Sequence, residues 1–168
     1  IFCLALVSCT TAQTDGSKNQ TPKTTEEVMI ERNREQLRLE RENIEKFIKQ
    51  NDFVMQRTGS GLYYMDVKQA PLPLNVIKEE DYIEYAYRIS LLDGTPIRNS
   101  VEDGNRKIVV GKDQVELNLH EAFLMMAIGQ RTLFIFPSHL AHGFAGNTDN
   151  VPPGSTLIYE LEPLKKLK

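Results

Sequence analysis

Residues 83–91 read Ile-Glu-Tyr-Ala-Tyr-Arg-Ile-Ser-Leu, and they give the clearest indication of the fold class. Its residues alternate strictly between apolar and mostly polar side chains, which is the period of a strand with one buried face. The side predicted to be buried carries Ile83, Tyr85, Tyr87, Ile89 and Leu91. Asp93-Gly94 follows as a turn signal, so the strand is expected to turn back on a neighbour in an antiparallel sheet.

The chain on both sides of this strand has patterns that extend the sheet. Strand-like segments are expected at 62–67, 108–110, 131–136 and 156–162. Residues 116–127 instead have apolar residues at helical spacing, and a helix of about three turns is too short to form a bundle. The sequence therefore predicts an α+β fold, an antiparallel sheet wrapped around one short helix, over residues 52–168.

A long charged helix is predicted ahead of this domain, over residues 24–51. It begins with the capping-box pattern Thr24-x-x-Glu27 and contains neither Gly nor Pro as far as Gln50. Its apolar stripe is thin, consisting of Ile30, Leu37, Ile44 and Ile48. One interpretation is a spacer with one edge docked on its own domain. The alternative is a helix that pairs with a second copy to give a homodimer, although one apolar residue per heptad is few for a coiled coil.

The first residues have the character of a targeting segment. Residues 1–8 are mostly apolar and uncharged, and they are interpreted as the remnant of a signal peptide whose basic n-region is missing. The sequence Leu6-Val7-Ser8-Cys9 resembles a bacterial lipobox, which implies cleavage before Cys9 and acylation of its thiol. An ordinary signal peptide cut after Ala12 is the alternative. Residues 9–23 then form a polar tether.

Composition excludes several classes of function for the folded domain. Both cysteines, Cys3 and Cys9, precede it, so a disulfide, a thiol nucleophile and a cysteine metal site are not expected there. The net charge of −3 argues against a nucleic-acid partner. His139 and His142 lack a carboxylate at ligand spacing, so no metal is expected, and no phosphate-binding loop or other cofactor motif is present.

An ordered series of motifs extends from about residue 80 to residue 164. It consists of Leu91-Leu92-Asp93-Gly94-Thr95, Asn99-Ser100, Val110-Gly111-x-x-Gln114-Val115, Met126-x-x-Gly129-Gln130-Arg131, Phe136-Pro137-Ser138-His139-Leu140-Ala141-His142-Gly143 and 151–162. In order and spacing these motifs resemble the FKBP-type peptidyl-prolyl cis-trans isomerases. The lipobox, the charged helix and Arg57-Thr58-Gly59-Ser60-Gly61 resemble the lipoprotein members of gliding bacteria.

The resemblance implies a twisted antiparallel sheet around one short helix, with a pocket between helix and sheet. It also implies rotation about X-Pro amide bonds, whose uncatalysed barrier is about 20 kcal/mol. No acid, base or cofactor is needed, because an apolar site favours the twisted amide that has lost resonance. The implied substrates are proline-containing polypeptides.

The same resemblance implies which residues form the pocket. The matching positions are Tyr87, Ile97, Val115, Glu116, Leu119, His142, Val151 and Tyr159. Three positions depart from the family pattern: Arg98 replaces an Asp at the pocket edge, Glu116 replaces an aliphatic residue, and His142 replaces a Tyr. Arg98 and Glu116 are expected to pair across the pocket mouth, and His142 raises the hypothesis of pH-sensitive activity.

Two functions follow from this pattern. The first is an isomerase of the cell envelope, anchored on the periplasmic side of the outer membrane through Cys9, that assists the folding of secreted or envelope proteins. The second is a weakly catalytic or non-catalytic binding module or chaperone on the same scaffold. Tyr87, Tyr159 and the Val151-Pro152-Pro153 segment favour the first, whereas the three departures favour the second.

Overall fold

The protein is described by a computed structural model over residues 24–113, 117–141 and 151–168. The chain divides into two compact units, Ile1–Glu35 and Gln36–Lys168. Helix α1 spans Thr25–Gln50. At its start the predicted capping box is present: the Thr24 N–H donates to Glu27 Oε2 at 2.8 Å, and the Glu27 N–H donates to Thr24 Oγ1 at 3.2 Å. In the described residues, no helix combines the length and the apolar character needed to cross a membrane.

In its described residues, the second unit contains the part of α1 from Gln36 onward, one antiparallel sheet and two short helices. The strands are β1 (Gln56–Arg57), β2 (Tyr63–Lys68), β3 (Tyr82–Leu91), β4 (Pro96–Asn99), β5 (Arg106–Val109), β6 (Arg131–Phe136) and β7 (Leu157–Lys166), and the helices are α2 (Ser100–Asp103) and α3 (Leu117–Leu124). The sheet order is β1-β2-β6-β7-β3-β4, and β5 also pairs with β3. The predicted α+β class is confirmed.

Strand β3 lies at the centre of this arrangement because it pairs with three strands. β7 runs along its length on one side, while on the other side β5 pairs with its first half and β4 with its second half. The predicted alternation is present, with Ile83, Tyr85, Tyr87 and Ile89 all buried. These side chains enter the main core, here called the inner cluster, in which Phe123 of α3 packs edge-on against Tyr85 with ring centroids 4.8 Å apart.

The opposite face of the sheet has a smaller apolar group, here called the outer cluster. Its buried members are Ile44 of α1 together with Tyr63, Ile135 and Ile158 of the sheet. Phe47 and Ile48 pack against it from the same helix. The second half of α1 therefore packs on the sheet, as expected for a spacer docked along one edge.

Some predicted boundaries differ from the observed ones. Strand β4 at 96–99 and helix α2 at 100–103 differ from the expectation of no regular element there, and β7 continues to Lys166 rather than ending at 162. Helix α3 ends at Leu124 rather than at 127. The Met125 and Met126 N–H groups donate to carbonyls three residues back, and Ala127 pairs with Val76 in an isolated bridge. These tighter hydrogen bonds end the α-helical pattern.

Candidate functional site

Five of the eight predicted pocket residues come together in the inner cluster. Tyr87, Leu119, Val151 and Tyr159 are 4–6% exposed, and Ile97 is half-buried against them. They arrive from β3, β4, α3, β7 and the segment ahead of β7, so only the folded sheet brings them together. The remaining three, Val115, Glu116 and His142, lie outside the described residues, as does the predicted lipidation site Cys9.

The hydroxyl of Tyr87 is held in place by an acidic residue. It donates to Asp103 Oδ2 at 2.9 Å, and Arg98 Nε donates to the same oxygen at 3.1 Å. The guanidinium of Arg106 lies over the Tyr87 ring, 4.9 Å from its centroid. Burial and the hydrogen bond to Asp103 raise the pKa of the Tyr87 phenol above its ordinary value. Tyr87 therefore stays neutral at physiological pH, with its ring and hydroxyl both fixed.

Helix α2 positions this acidic residue. Asn99 caps the helix, and its side-chain oxygen accepts hydrogen bonds from the Val101 and Glu102 N–H groups at 3.0 and 3.1 Å. Ser100 Oγ accepts from the Tyr87 N–H at 3.2 Å. The Asn99-Ser100 motif thus ties the short helix to β3 and places Asp103 beside the Tyr87 hydroxyl.

Aromatic rings form another wall of the site. The ring of Tyr159 lies 4.7 Å from that of Phe136, centroid to centroid, and Phe136 lies 6.1 Å from Phe134. Phe136 and Phe134 are fully buried on β6. Close aromatic pairs of this kind stabilise an interior beyond the area they bury. The wall is therefore rigid and apolar.

His120 has a structural role on α3. The Gly111 N–H donates to His120 Nδ1 at 2.8 Å, and His120 Nε2 lies 3.0 Å from the Asp113 carbonyl oxygen. Because Nδ1 accepts, Nε2 carries the proton and donates. Both ring nitrogens are thus engaged by the backbone of residues 111–113. Within the described ranges no group of three His, Cys, Asp or Glu is arranged to hold a metal ion.

Glu40 of α1 joins the two chain segments that flank residues 142–150. Its Oε1 accepts hydrogen bonds from the Ser138 N–H and the Thr156 hydroxyl, both at 2.6 Å. Its Oε2 accepts from Ser138 Oγ at 3.0 Å. Glu40 therefore links Ser138, which follows β6, to Thr156, which directly precedes β7. Val151 lies between these two residues in the sequence.

Sequence reasoning missed three residues of this arrangement. Asp103 precedes Gly104, a pattern typical of a turn, yet in the structure it accepts hydrogen bonds from Tyr87 and Arg98. Phe136 and Glu40 were not predicted as part of the site. Asp103 and Glu40 act through partners 16 and about a hundred positions away, so no local pattern identifies them. The predicted pairing of Arg98 with Glu116 stays a prediction, since Glu116 is not among the described residues.

A buried, aromatic-lined site on an antiparallel sheet, with charged groups at its edge beside the Tyr87 hydroxyl, suits one type of chemistry. Such a site can bind an apolar ring and favour an amide that has twisted out of conjugation, without forming or breaking a covalent bond. This is the class of site that a proline-directed isomerase requires.

Comparison with known proteins leads to the same class. The sequence profile of the family described as FKBP-type peptidyl-prolyl cis-trans isomerase matches residues 75–164, more than half of the chain. The chain is 30% identical over 116 residues to FK506-binding protein 2 of Yarrowia lipolytica, a match that covers 61% of this chain and 81% of that protein. The chain therefore belongs to the FKBP-type peptidyl-prolyl cis-trans isomerase family.

Other relatives share only part of their length or only the fold. Peptidyl-prolyl cis-trans isomerase FKBP9 of Homo sapiens is 36% identical over 89 residues, which are 52% of this chain and 16% of that protein. The crystal structure of FkpA from Escherichia coli superimposes with a TM-score of 0.66 at 23% identity, covering 84% of this chain and 65% of that one. AtFKBP13 gives a TM-score of 0.62 at 22% identity, covering 68% and 99%.

Proposed function

We propose that this protein catalyses cis-trans isomerisation of X-Pro bonds in secreted or envelope polypeptides. The observation that carries the proposal is the meeting of Tyr87, Ile97, Leu119, Val151 and Tyr159 in the inner cluster, at positions where the family has its pocket. The Tyr87 hydroxyl, fixed by Asp103, adds a polar group at a defined place in an otherwise apolar site. Membership of the isomerase family supports the same reaction.

The test is isomerisation of a short Leu-Pro peptide by the full chain carrying Cys9→Ser, which prevents acylation. We expect a rate well above background, and a fall of about tenfold or more in kcat/KM for Tyr87→Ala, equal to about 1.4 kcal/mol of transition-state stabilisation. Tyr87→Phe keeps the ring and removes the hydroxyl, so it serves as the conservative variant if Tyr87→Ala unfolds. FK506, which the Yarrowia relative is named for binding, is expected to compete with the peptide.

A binding module or chaperone of low activity is the second candidate. The observation that favours it is the position of Arg98, a cation at the edge of the site. Its Nε donates a hydrogen bond to the Asp103 carboxylate that also holds the Tyr87 hydroxyl. This candidate would replace the enzyme if the folded protein binds an unfolded polypeptide but does not increase the isomerisation rate of the Leu-Pro peptide.

We also propose that the protein works in the cell envelope, held by a lipid on Cys9 to the periplasmic side of the outer membrane. The sequence Leu6-Val7-Ser8-Cys9 supports this, and so does the resemblance to lipoprotein members of gliding bacteria. Mass spectrometry of the protein purified from membranes tests the proposal. An acylated Cys9 supports it, whereas a chain that begins after Ala12 and carries no lipid contradicts it.

We further propose that two copies of the chain form a homodimer through α1. The helix carries exposed large apolar side chains at Val28, Met29, Ile30, Leu37 and Leu39. Light scattering of the Cys9→Ser chain is expected to give twice the monomer mass, and Ile30→Glu is expected to return it to the monomer mass. A monomer at all accessible concentrations would leave α1 as a spacer only.

A further inference from the structure

A second pocket lies on the outer face of the sheet, away from the inner cluster. It has a volume of about 220 Å³ and is formed between α1, the start of β2 and the turn that follows β6. Its apolar lining includes Ile44, Tyr63 and Pro137, all of them buried. The space suits one side chain or a small group rather than a flat partner surface. This cavity is here called the outer pocket.

Two arginines and one histidine lie around the outer pocket. Arg41, Arg57 and His139 line it and are exposed. The Arg57 guanidinium lies over the Tyr63 ring, 5.3 Å from its centroid, so the ring orients it. A Cβ atom placed on Gly61 would lie 3.3 Å from Arg57 Nη2 and 3.7 Å from His139 Nε2. Arg57 and His139 therefore approach each other over Gly61.

Within the described part of the chain, the two guanidinium groups of the outer pocket outnumber its one carboxylate. That carboxylate is Glu40, and both of its oxygens accept hydrogen bonds from Ser138 and Thr156, away from the arginines. Arg41 and Arg57 make no ion pair with any carboxylate of the described residues. By contrast Arg38, one turn earlier on α1, is paired with Glu42 at 2.5 Å. Two unpaired guanidinium groups above an apolar floor are the chemistry that binds a carboxylate attached to an apolar chain.

We infer that the outer pocket binds acidic side chains of the client polypeptide, next to an apolar residue that occupies the floor. The inference rests on the proposed function for the nature of the client. The turn after β6 serves both sites, because His139 lines the outer pocket whereas Leu140, the next residue, is buried in the inner cluster. A polypeptide is favoured over an anionic membrane because the pocket is small and concave, and because the whole chain carries a net charge of −3.

Two labelled peptides test this inference on the full chain with Cys9→Ser. One reads Gly-Leu-Pro-Ala-Glu-Leu-Glu-Leu, and its twin has Gln in place of both Glu residues. Fluorescence anisotropy at low salt is expected to show the acidic peptide binding about tenfold more tightly, as partly exposed charge-assisted hydrogen bonds allow. Arg41→Gln combined with Arg57→Gln is expected to remove this preference. Arg34→Gln combined with Arg38→Gln, two exposed positions of α1 outside the pocket lining with the same total change of charge, is the matched control and should keep it.

The turnover readout separates this inference from the proposed enzyme. The Arg41→Gln, Arg57→Gln protein should isomerise a short neutral Leu-Pro peptide at the unaltered rate, while Tyr87→Phe should lower that rate and keep the preference for Glu. Loss of all turnover in the unaltered protein would remove the proposed isomerase and leave the anion-binding result standing on its own.

Three results would overturn the inference. They are equal affinity for the two peptides, a preference that survives in the double arginine variant, and displacement of the acidic peptide by phosphatidylglycerol vesicles that bind through Arg41 and Arg57. The last result would assign the pocket to a lipid surface.

Discussion

Among the residues that the structure describes, the cluster on the inner side of the sheet buries nineteen apolar residues, whereas the cluster on the outer side buries four. The inner face is covered by α3, and aromatic rings pack against one another beneath this helix. The outer face depends on Ile44 of α1 for its apolar cover and on polar contacts elsewhere. There Arg131 donates to Glu162 Oε2 at 2.7 Å and Lys68 donates to Glu162 Oε1 at 3.0 Å. Hydrophobic burial thus stabilises one face, and a mixture of helix docking and charge pairing stabilises the other.

This difference between the faces separates the two candidate sites. The inner face buries the aromatic and aliphatic residues of the candidate site beneath α3, and its rigidity follows from close packing. The outer face has room for charged groups at its margin because its apolar part is small. The site proposed for isomerisation and the outer pocket proposed for acidic side chains therefore lie on opposite faces, joined by the turn at Pro137–Ala141.

Two neighbouring residues of β6 test the difference between the two faces of the sheet most directly. Phe134 faces the inner cluster and Ile135 the outer cluster, and neither is exposed. We expect Phe134→Ala to lower the free energy of unfolding by about 3–5 kcal/mol, and Ile135→Ala by about 2–3 kcal/mol, because less surface is lost and α1 can settle into the space. Urea unfolding followed by circular dichroism measures both values.

Catalysis should distinguish the same pair of variants. Phe134 contacts Phe136, which contacts Tyr159, so Phe134→Ala is expected to reduce kcat/KM under conditions where the protein is folded. Ile135→Ala should leave it unchanged. Equal losses of activity in the two variants would mean that the faces are not independent.

Glu40 gives a smaller effect, confined to the outer face. Glu40→Ala removes the acceptor of three hydrogen bonds from Ser138 and Thr156 and is expected to destabilise the protein by about 1–3 kcal/mol. Glu42→Ala, an exposed glutamate two residues later, is the control and should change stability by about 0.5 kcal/mol or less. A thermal melt of the two variants decides the point, and an equal shift in Tm would show that the Glu40 bonds contribute nothing beyond an exposed ion pair.

The smallest expected effect is the pH dependence of the ion pairs on β7. Burial raises the pKa of Glu162, but hydrogen bonds from Arg131 and Lys68 outweigh it and leave that pKa below its ordinary value. A carboxyl whose pKa is lowered on folding contributes stability above its unfolded pKa and loses it as the pH falls through the folded value. The difference in Tm between the unaltered protein and Glu162→Gln should therefore be present at neutral pH and vanish in acid. A difference that is constant with pH would assign the effect to packing.

Much of the fold was predictable from short-range pattern. The alternation at 83–91, the capping box at Thr24 and the exact span of β6 all follow from residues close together in sequence. The strand β4 was missed because Pro96–Asn99 is too short and too polar to have a period. The C-terminal half of β7 was missed because Pro163 interrupts its alternation, although the strand continues past it through a shift in register.

The candidate site likewise contains residues that the sequence implied and residues that it did not. The family resemblance implied Tyr87, Ile97, Leu119, Val151 and Tyr159 as pocket residues, and the tertiary structure brings all five together. It did not identify Asp103 or Glu40, since each acts on a group that is distant along the chain. The role of a carboxylate depends on the hydrogen-bond donors that face it. The packing of other helices and strands determines which donors these are.

The local structure and the family could be inferred from the order of residues: the periods of strand and helix, the caps and turns, and the ordered motifs between residues 80 and 164. Those properties arise from interactions within a few residues, so the spacing of residue types along the chain reveals them. The folded structure was needed to show that Asp103 holds Tyr87, that α1 packs on the outer face through Ile44, and that Arg41, Arg57 and His139 surround one pocket. These are contacts between segments far apart in sequence, and they exist only once the sheet has assembled.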